Sequence, residues 1–226
     1  MKNVLVVAPH ADDETLGAGG TIARHVLEGD TVSVVVMTGP GEEAHPIFSH
    51  DVWDTVREEC RQACDHLGVH RLMFREIPAV LVPDRPVWEV NSEAAKVLDE
   101  AKPDVLYVPF PLDLHLDHRS IFYAFSVAWR PNSERGRRVK EVYAYETLSE
   151  TNWNPAYLEQ SFTPNVYVDI SATLETKLKA MECYQSQLQD WPHARSLKAL
   201  RSQAEWRGAQ VSAEAAEAFV LIRRLR

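Results

Sequence analysis

The sequence predicts an α/β protein: an open, mostly parallel sheet with helices on both faces. Three observations predict it. Short apolar runs alternate with longer amphipathic stretches up to about residue 147. Strands alternating with helices of this length imply right-handed βαβ crossovers. Two of the runs, Val4-Leu5-Val6-Val7-Ala8 and Val105-Leu106-Tyr107-Val108, also empty directly into clusters of His and Asp. Ligands of open parallel sheets bind just outside the carboxyl ends of the strands.

Strand-like runs fall at Val4–Ala8, Val32–Met37, Arg71–Phe74, Val105–Val108, Val142–Tyr145 and Val166–Val168. Between the first five, helical patterns fit Glu14–Glu28, Asp51–Leu67, Val87–Ala101 and His118–Trp129. Gly29-Asp30 and Leu67-Gly68 end two of these helices where a glycine C-cap belongs. Lys102-Pro103-Asp104 punctuates the entry to the fourth strand. Thr147–Pro164 lacks periodic apolar residues and reads as a long ordered loop, of the kind that often serves as a lid. Helices Leu174–Tyr184 and Ser196–Gln210 follow, joined by Gln185–His193. With no repeat, low-complexity tract or shift in composition, residues 1–226 read as a single Rossmann-like domain. Its loop-and-helix C-terminal part starts at about 147.

At 226 residues the chain can bury a sizeable core, and 45% hydrophobic with 25% charged residues is ordinary for a globular enzyme. A net charge of −9 argues against nucleic acid as a partner, because phosphate binding needs a basic face. Arg135, Arg137, Arg138 and Lys140 cluster, but between elements, and read as a solvated loop. No apolar run approaches the roughly 20 residues of a membrane span. The start carries no charge-then-apolar signal pattern, so a soluble, cytoplasmic protein is expected. Cys60 and Cys64 lie four apart on one helix face and read, like Cys183, as reduced thiols rather than metal ligands.

The chemistry sits in the two clusters. His10, Asp12 and Asp13 stand where the first strand ends, and Pro9 before them cannot continue a central strand. Adjacent Asp residues point in different directions, so one can bind metal while the other holds a water. Glu14 falls in the first helical turn, where a carboxylate favours the helix dipole. In the second cluster, Asp113-Leu114-His115-Leu116-Asp117-His118, the two imidazoles share one face of a helical turn. One can ligate and the other face the substrate, while Asp117 can orient an imidazole from behind. Two His and one Asp suit Zn²⁺, and the leftover carboxylates suit a general base. Gly17-Ala18-Gly19-Gly20 lies after the acidic cluster, inside a helix, and so reads as close helix-to-sheet packing rather than a dinucleotide fingerprint. No GxSxG nucleophile elbow occurs.

Pro-His-Ala-Asp-Asp-Glu at 9–14 with His-Leu-Asp-His at 115–118 resembles the paired motifs of the PIG-L/LmbE-like zinc deacetylases. Weaker matches run on through Tyr184-Gln185-Ser186-Gln187, Pro192-His193-Ala194-Arg195-Ser196, Arg207-Gly208 and Ala216-Glu217-Ala218-Phe219. The resemblance implies that His10, Asp13 and His118 ligate zinc, that Asp12 is the general base, and that His115 stabilises the oxyanion or protonates the leaving amine. It also implies an N-acetylated sugar or sugar conjugate of the N-acetylglucosamine type as substrate. Ala11 replaces the family's usual proline, a change in a backbone turn. Arg57 stands nearest the place of the family's substrate-contacting arginine, one residue out of step with Glu59, and Asp84 nearest that of its sugar-contacting acid. Trp153 and Tyr157 can stack on a sugar ring or pack within the loop, and Arg195 can meet an anionic substituent or form a structural ion pair.

Ligation by two His and one Asp accepts Zn²⁺ or Fe²⁺. Other expectations stay open beside the deacetylase: hydrolysis of another amide, a phosphoesterase, or a non-catalytic ligand-binding protein. A phosphoesterase would more naturally hold two metals about 4 Å apart, and a binding protein has no need of Asp12 beside the metal. A homo-oligomer is also left open.

Overall fold

A computed structural model of the chain describes residues 1–41 and 45–225. Seven strands form one sheet in the order β3-β2-β1-β4-β5-β7-β6. They are β1 (Asn3–Ala8), β2 (Thr31–Gly39), β3 (Arg71–Pro78), β4 (Val105–Pro109), β5 (Glu141–Tyr145), β6 (Val166–Asp169) and β7 (Ala216–Arg224). The first five pair in parallel, as the alternation of strands and helices predicts. Leu5 to Ala8 are wholly buried, because a parallel strand covered on both faces needs a continuous apolar run.

The helices fall on both faces. One core joins Val4, Val6 and Ala8 to α1 (Asp13–Leu27), α2 (His50–Leu67), α6 (Leu174–Glu182) and α7 (Leu197–Ala209). The other joins Leu5 and Val7 to α3 (Val87–Ala101) and α4 (Leu116–Ala128). Gly29 and Gly68 have φ of +84° and +76°, the left-handed conformation that a helix-ending glycine supplies without strain.

The glycines of α1 let it press on the sheet. A Cβ at Gly17 would enter the ring of Tyr145, whose hydroxyl donates to Val7 O at 2.7 Å. A Cβ at Gly20 would meet Ile170. The packing reading of Gly17–Gly20 therefore holds.

Two elements depart from expectation. Glu134–Arg138, expected as loop, is a short helix (α5) capped by Ser133, and Arg135 is paired with Asp99. More consequentially, β7 is not among the expected strands, although residues 218–222 form an apolar run, and it lies antiparallel between β5 and β6. Its Glu217 is buried. It accepts Lys177 Nζ at 2.6 Å and the amides of Gly20 and Thr21 at 3.0 and 2.7 Å, while Lys177 also donates to Leu16 O. The C-terminal strand is thus bolted to the helix that follows β1.

Candidate active site

β1 and β4 are neighbours in register, Val4 beside Val105 and Val6 beside Tyr107. From β1 the chain turns to β2 on one side, while β4 lies on the other. The two His/Asp clusters therefore meet at the sheet's switch point, where a crevice forms between diverging connections. The His10 ring centroid is 4.6 Å from that of His115 and 5.4 Å from that of His118.

Each of two imidazoles is backed by its own carboxylate. His10 Nε2 lies 2.9 Å from Asp117 Oδ2, and Asp117 is itself held by the amides of Val80 and Val82. His118 Nδ1 lies 2.8 Å from Asp113 Oδ2. Asp13 Oδ2 stands between them, accepting the His10 amide at 2.8 Å and lying 3.2 Å from His118 Nε2. Ligand atoms of His10, Asp13 and His118 all fall within 4.8 Å of one another.

Three carboxylates converging on two imidazoles make this a cation-seeking centre. His10 is raised to about 9: burial opposes its charge, but Asp117 and Asp13 outweigh it. Burial likewise opposes charge on His118 and Asp13, yet their mutual attraction raises the imidazole and holds Asp13 well below the usual carboxylate range. Asp13 Oδ1 and His118 Nε2 are buried and find no hydrogen-bond partner among the described residues. Buried polar atoms are rarely left so, and a carboxylate and an imidazole this close together offer the donors a divalent metal takes. His10, His115 and Asp117 form another close set, but His10 and two backbone amides already occupy Asp117.

Asp12 turns the other way. Its φ of +120° is unusual outside glycine, and its buried carboxylate points at Arg195, with 3.1 Å between Oδ2 and Nη1. Arg195 also donates from Nε to Ser149 Oγ at 2.9 Å and from Nη1 to Gln187 Oε1 at 3.3 Å. Burial pushes the Asp12 carboxyl up to about 7, against the pull of Arg195. Val80 and Ser149, which hold Asp117 and Arg195, also adopt positive φ. Backbone strain of this kind gathers at functional sites.

His115 caps α4, and its Nδ1 accepts the Asp117 amide at 3.1 Å. The neutral ring therefore carries its proton on Nε2. Burial and the neighbouring His10 charge lower it to about 4, so it is neutral near pH 7.

His10, Asp12 and His115 border a cavity of about 210 Å³, with Arg57, Gln187 and Arg195 also on its wall. Arg57 is committed to Glu76 at 2.6 Å and lies over the Phe74 ring. Trp153, expected at the substrate, stands outside the cavity lining, half-exposed with its edge on His193. Asp84 sits in a 3-10 turn, also outside that lining. Arg195 reaches the cavity, but its partner is Asp12 rather than a free approach for an anion.

The Thr147–Pro164 loop is a support rather than a free lid at its start. Thr147 to Glu150 are buried, and Thr151 Oγ1 donates to Asp113 Oδ1 at 2.5 Å. Glu14, expected as a helix-start charge, is buried and accepts Tyr184 Oη at 2.6 Å and the Asp12 amide at 3.2 Å. Cys60 and Cys64 are buried beside it as free thiols. Sequence reasoning gave no role to Asp113, Ser149 or Gln187. Asp113 carried a signal, opening the second cluster five residues before His118, and Gln187 stands in one of the weaker matches, while nothing marked Ser149.

This is a doubly wound α/β protein with a two-His, one-Asp centre at its switch point. The sequence profile described as PIG-L, GlcNAc-PI de-N-acetylase, matches residues 5–129, more than half of the chain, and the protein belongs to that family. It is 27% identical over 196 residues to the diacetylchitobiose deacetylase of Thermococcus kodakarensis, covering 83% of this chain and 70% of that one. Over 206 residues it is 26% identical to the 4-oxalmesaconate hydratase of Pseudomonas putida, covering 85% and 76%. The crystal structure of the conserved protein TT1542 from Thermus thermophilus superposes with a TM-score of 0.78 at 25% identity, covering 100% and 97%. Relatives at similar distance are thus named for a deacetylation and a hydration, and the reaction must be argued from the site.

Proposed function

We propose that this protein is a metal-dependent hydrolase that removes the N-acetyl group from an N-acetylglucosamine-type sugar or sugar conjugate in the cytoplasm. The observation that carries the reading is the buried pair of Asp13 and His118, whose Oδ1 and Nε2 make no hydrogen bond among the described residues, beside a separate carboxylate, Asp12, that borders the cavity. His10, Asp13 and His118 would hold the ion, Zn²⁺ first and Fe²⁺ by the same donors, with Asp117 and Asp113 orienting the two imidazoles. When bound, such an ion polarises a carbonyl and lowers the pKa of water to about 7.

The chain's own groups do the rest. Asp12 accepts a proton from the attacking water as its oxygen bonds to the amide carbon. His115 donates its Nε2 proton in a hydrogen bond to the developing oxyanion, a contact typically worth about 3–4 kcal/mol. As the C–N bond breaks, Asp12 returns the proton to the amine nitrogen, leaving acetic acid and a free amine, which exchange a proton in water to give acetate and ammonium. His115, neutral and protonated on Nε2, fits the oxyanion role better than that of proton donor.

The test pairs metal content with amine release from N-acetylamino sugars, with and without chelator. About one ion per chain and chelator-sensitive amine support the reading. Asp12→Asn should keep the ion and lose turnover, and His118→Ala should lose the ion. No metal after incubation with zinc would sink it. A metal-loaded protein that releases no amine yet hydrates an unsaturated acid would move it to the hydratase reaction.

A further inference from the structure

We infer that the substrate's group next to the scissile amide is uncharged and apolar. The substrates would then be N-acetylated amino sugars carrying an apolar aglycone, rather than phosphorylated or carboxylated conjugates. This rests on the deacetylase reading above and names the substrate class within it.

The apolar part of the cavity wall carries the inference. Besides Asp12 and His115, the cavity is lined by Phe48, Val52, Trp53, Val56, Phe74 and Val80. Val52, Trp53 and Val56 come from the first turns of α2, Phe74 from β3, and Phe48 from the segment entering α2. Trp53 and Val56 are buried, but Phe48 and Val52 remain 36% and 42% exposed. Apolar surface is thus left open beside the reacting groups, where an apolar ligand group would cover it.

The wall is built rather than loose. His45 Nε2 donates to Ala79 O at 2.9 Å, while its Nδ1 accepts the amides of Ile47 and Phe48, both at 3.2 Å. The same ring packs on Phe48 and Trp53, with centroids 5.1 and 5.5 Å away. One histidine therefore fixes both aromatic side chains in place.

Charge points the same way. Among the described residues lining the cavity, the arginines are Arg57 and Arg195, and each already has a carboxylate, Glu76 and Asp12. A phosphate arriving here would have to break one of those pairs, or be desolvated without a counter-ion, which is costly. The chain's net charge of −9 adds long-range repulsion. An alkyl or aryl group meets neither obstacle.

Three substrates of the metal-loaded full chain decide it: N-acetylglucosamine, its hexyl β-glycoside and its 1-phosphate. The hexyl glycoside should exceed the free sugar in kcat/KM by about tenfold or more, the scale of a filled apolar subsite, and the 1-phosphate should fall below it. Phe48→Ser and Val52→Ser, both at exposed rim positions, should bring the hexyl-to-free ratio toward one. Calorimetric binding to the Asp12→Asn variant should show the same order without turnover. A hexyl glycoside no better than the free sugar, or a preferred 1-phosphate, overturns the inference while leaving the deacetylase standing. Amine from none of the three, with hexyl preference kept in binding, would instead reject the reaction and uphold the apolar subsite.

Discussion

Arg195 Nη1 lies 3.1 Å from Asp12 Oδ2, joining the segment before α7 to the end of β1 across 183 positions of sequence. The guanidinium is itself held by Ser149 and Gln187, so it acts as a rigid arm on one oxygen of Asp12. Displacing a reacting group by about 1 Å can cost about 100-fold in rate. Arg195→Met is therefore expected to lower kcat by about that factor, with KM and metal content little changed and Arg195→Lys recovering part. An unchanged kcat would separate Arg195 from the chemistry.

Asp113 supports His118 without touching the cavity. Partners of this kind typically set metal affinity by about 10–100-fold. Asp113→Ala should weaken metal binding by that range, read by competition with a chelator of known affinity. Equal affinity in both proteins would show that the Asp113–His118 hydrogen bond does not tune the site.

Lys177 and Glu217 are an ion pair buried on both sides. Removing one partner strands the other, at about 3–5 kcal/mol. Lys177→Met should lower unfolding stability by about that amount in denaturant titration, and adding Glu217→Gln should recover part. The double variant will not be fully restored, because Glu217 also binds the Gly20 and Thr21 amides.

Glu159 fastens the long loop to α4 through Arg119, which also donates to Asp113 O at 2.6 Å. Hydrogen bonds from Arg119 and Asn154 hold the Glu159 carboxyl down to about 2. A carboxyl depressed in the folded state stabilises it above the unfolded pKa of about 4.3 and loses that effect as pH falls toward the folded value. The melting temperature of Glu159→Gln should thus lie below that of the parent at pH 7, and the gap should close between about pH 4.3 and about 2. A gap constant across that window would mean that the ion pair is not what fastens the loop.

Local pattern determined much of this protein. Continuous apolar runs can only be strands covered on both faces, and amphipathic stretches between them can only be crossover helices. The parallel half of the sheet, its helices and the two His/Asp strand ends were therefore legible in the chain. So was the gathering of His10, Asp12, Asp13 and His118 at strand ends, where an open sheet binds its ligands, while the role proposed for each came from the family resemblance. Tertiary structure alone decided what surrounds them. It decided that β7 runs antiparallel between β5 and β6, and that its Glu217 is buried against Lys177, a partner 40 positions away. Trp153, for which sugar stacking and packing were both open, stands outside the cavity lining, while Phe48 and Trp53 line it with nothing in their spacing to announce it. For Arg195 both an anionic substituent and a structural ion pair were open, and the fold laid it on Asp12. Periodicity reports which face of an element is buried, but not which distant side chain it meets there, and pairing between distant residues is what shaped the site.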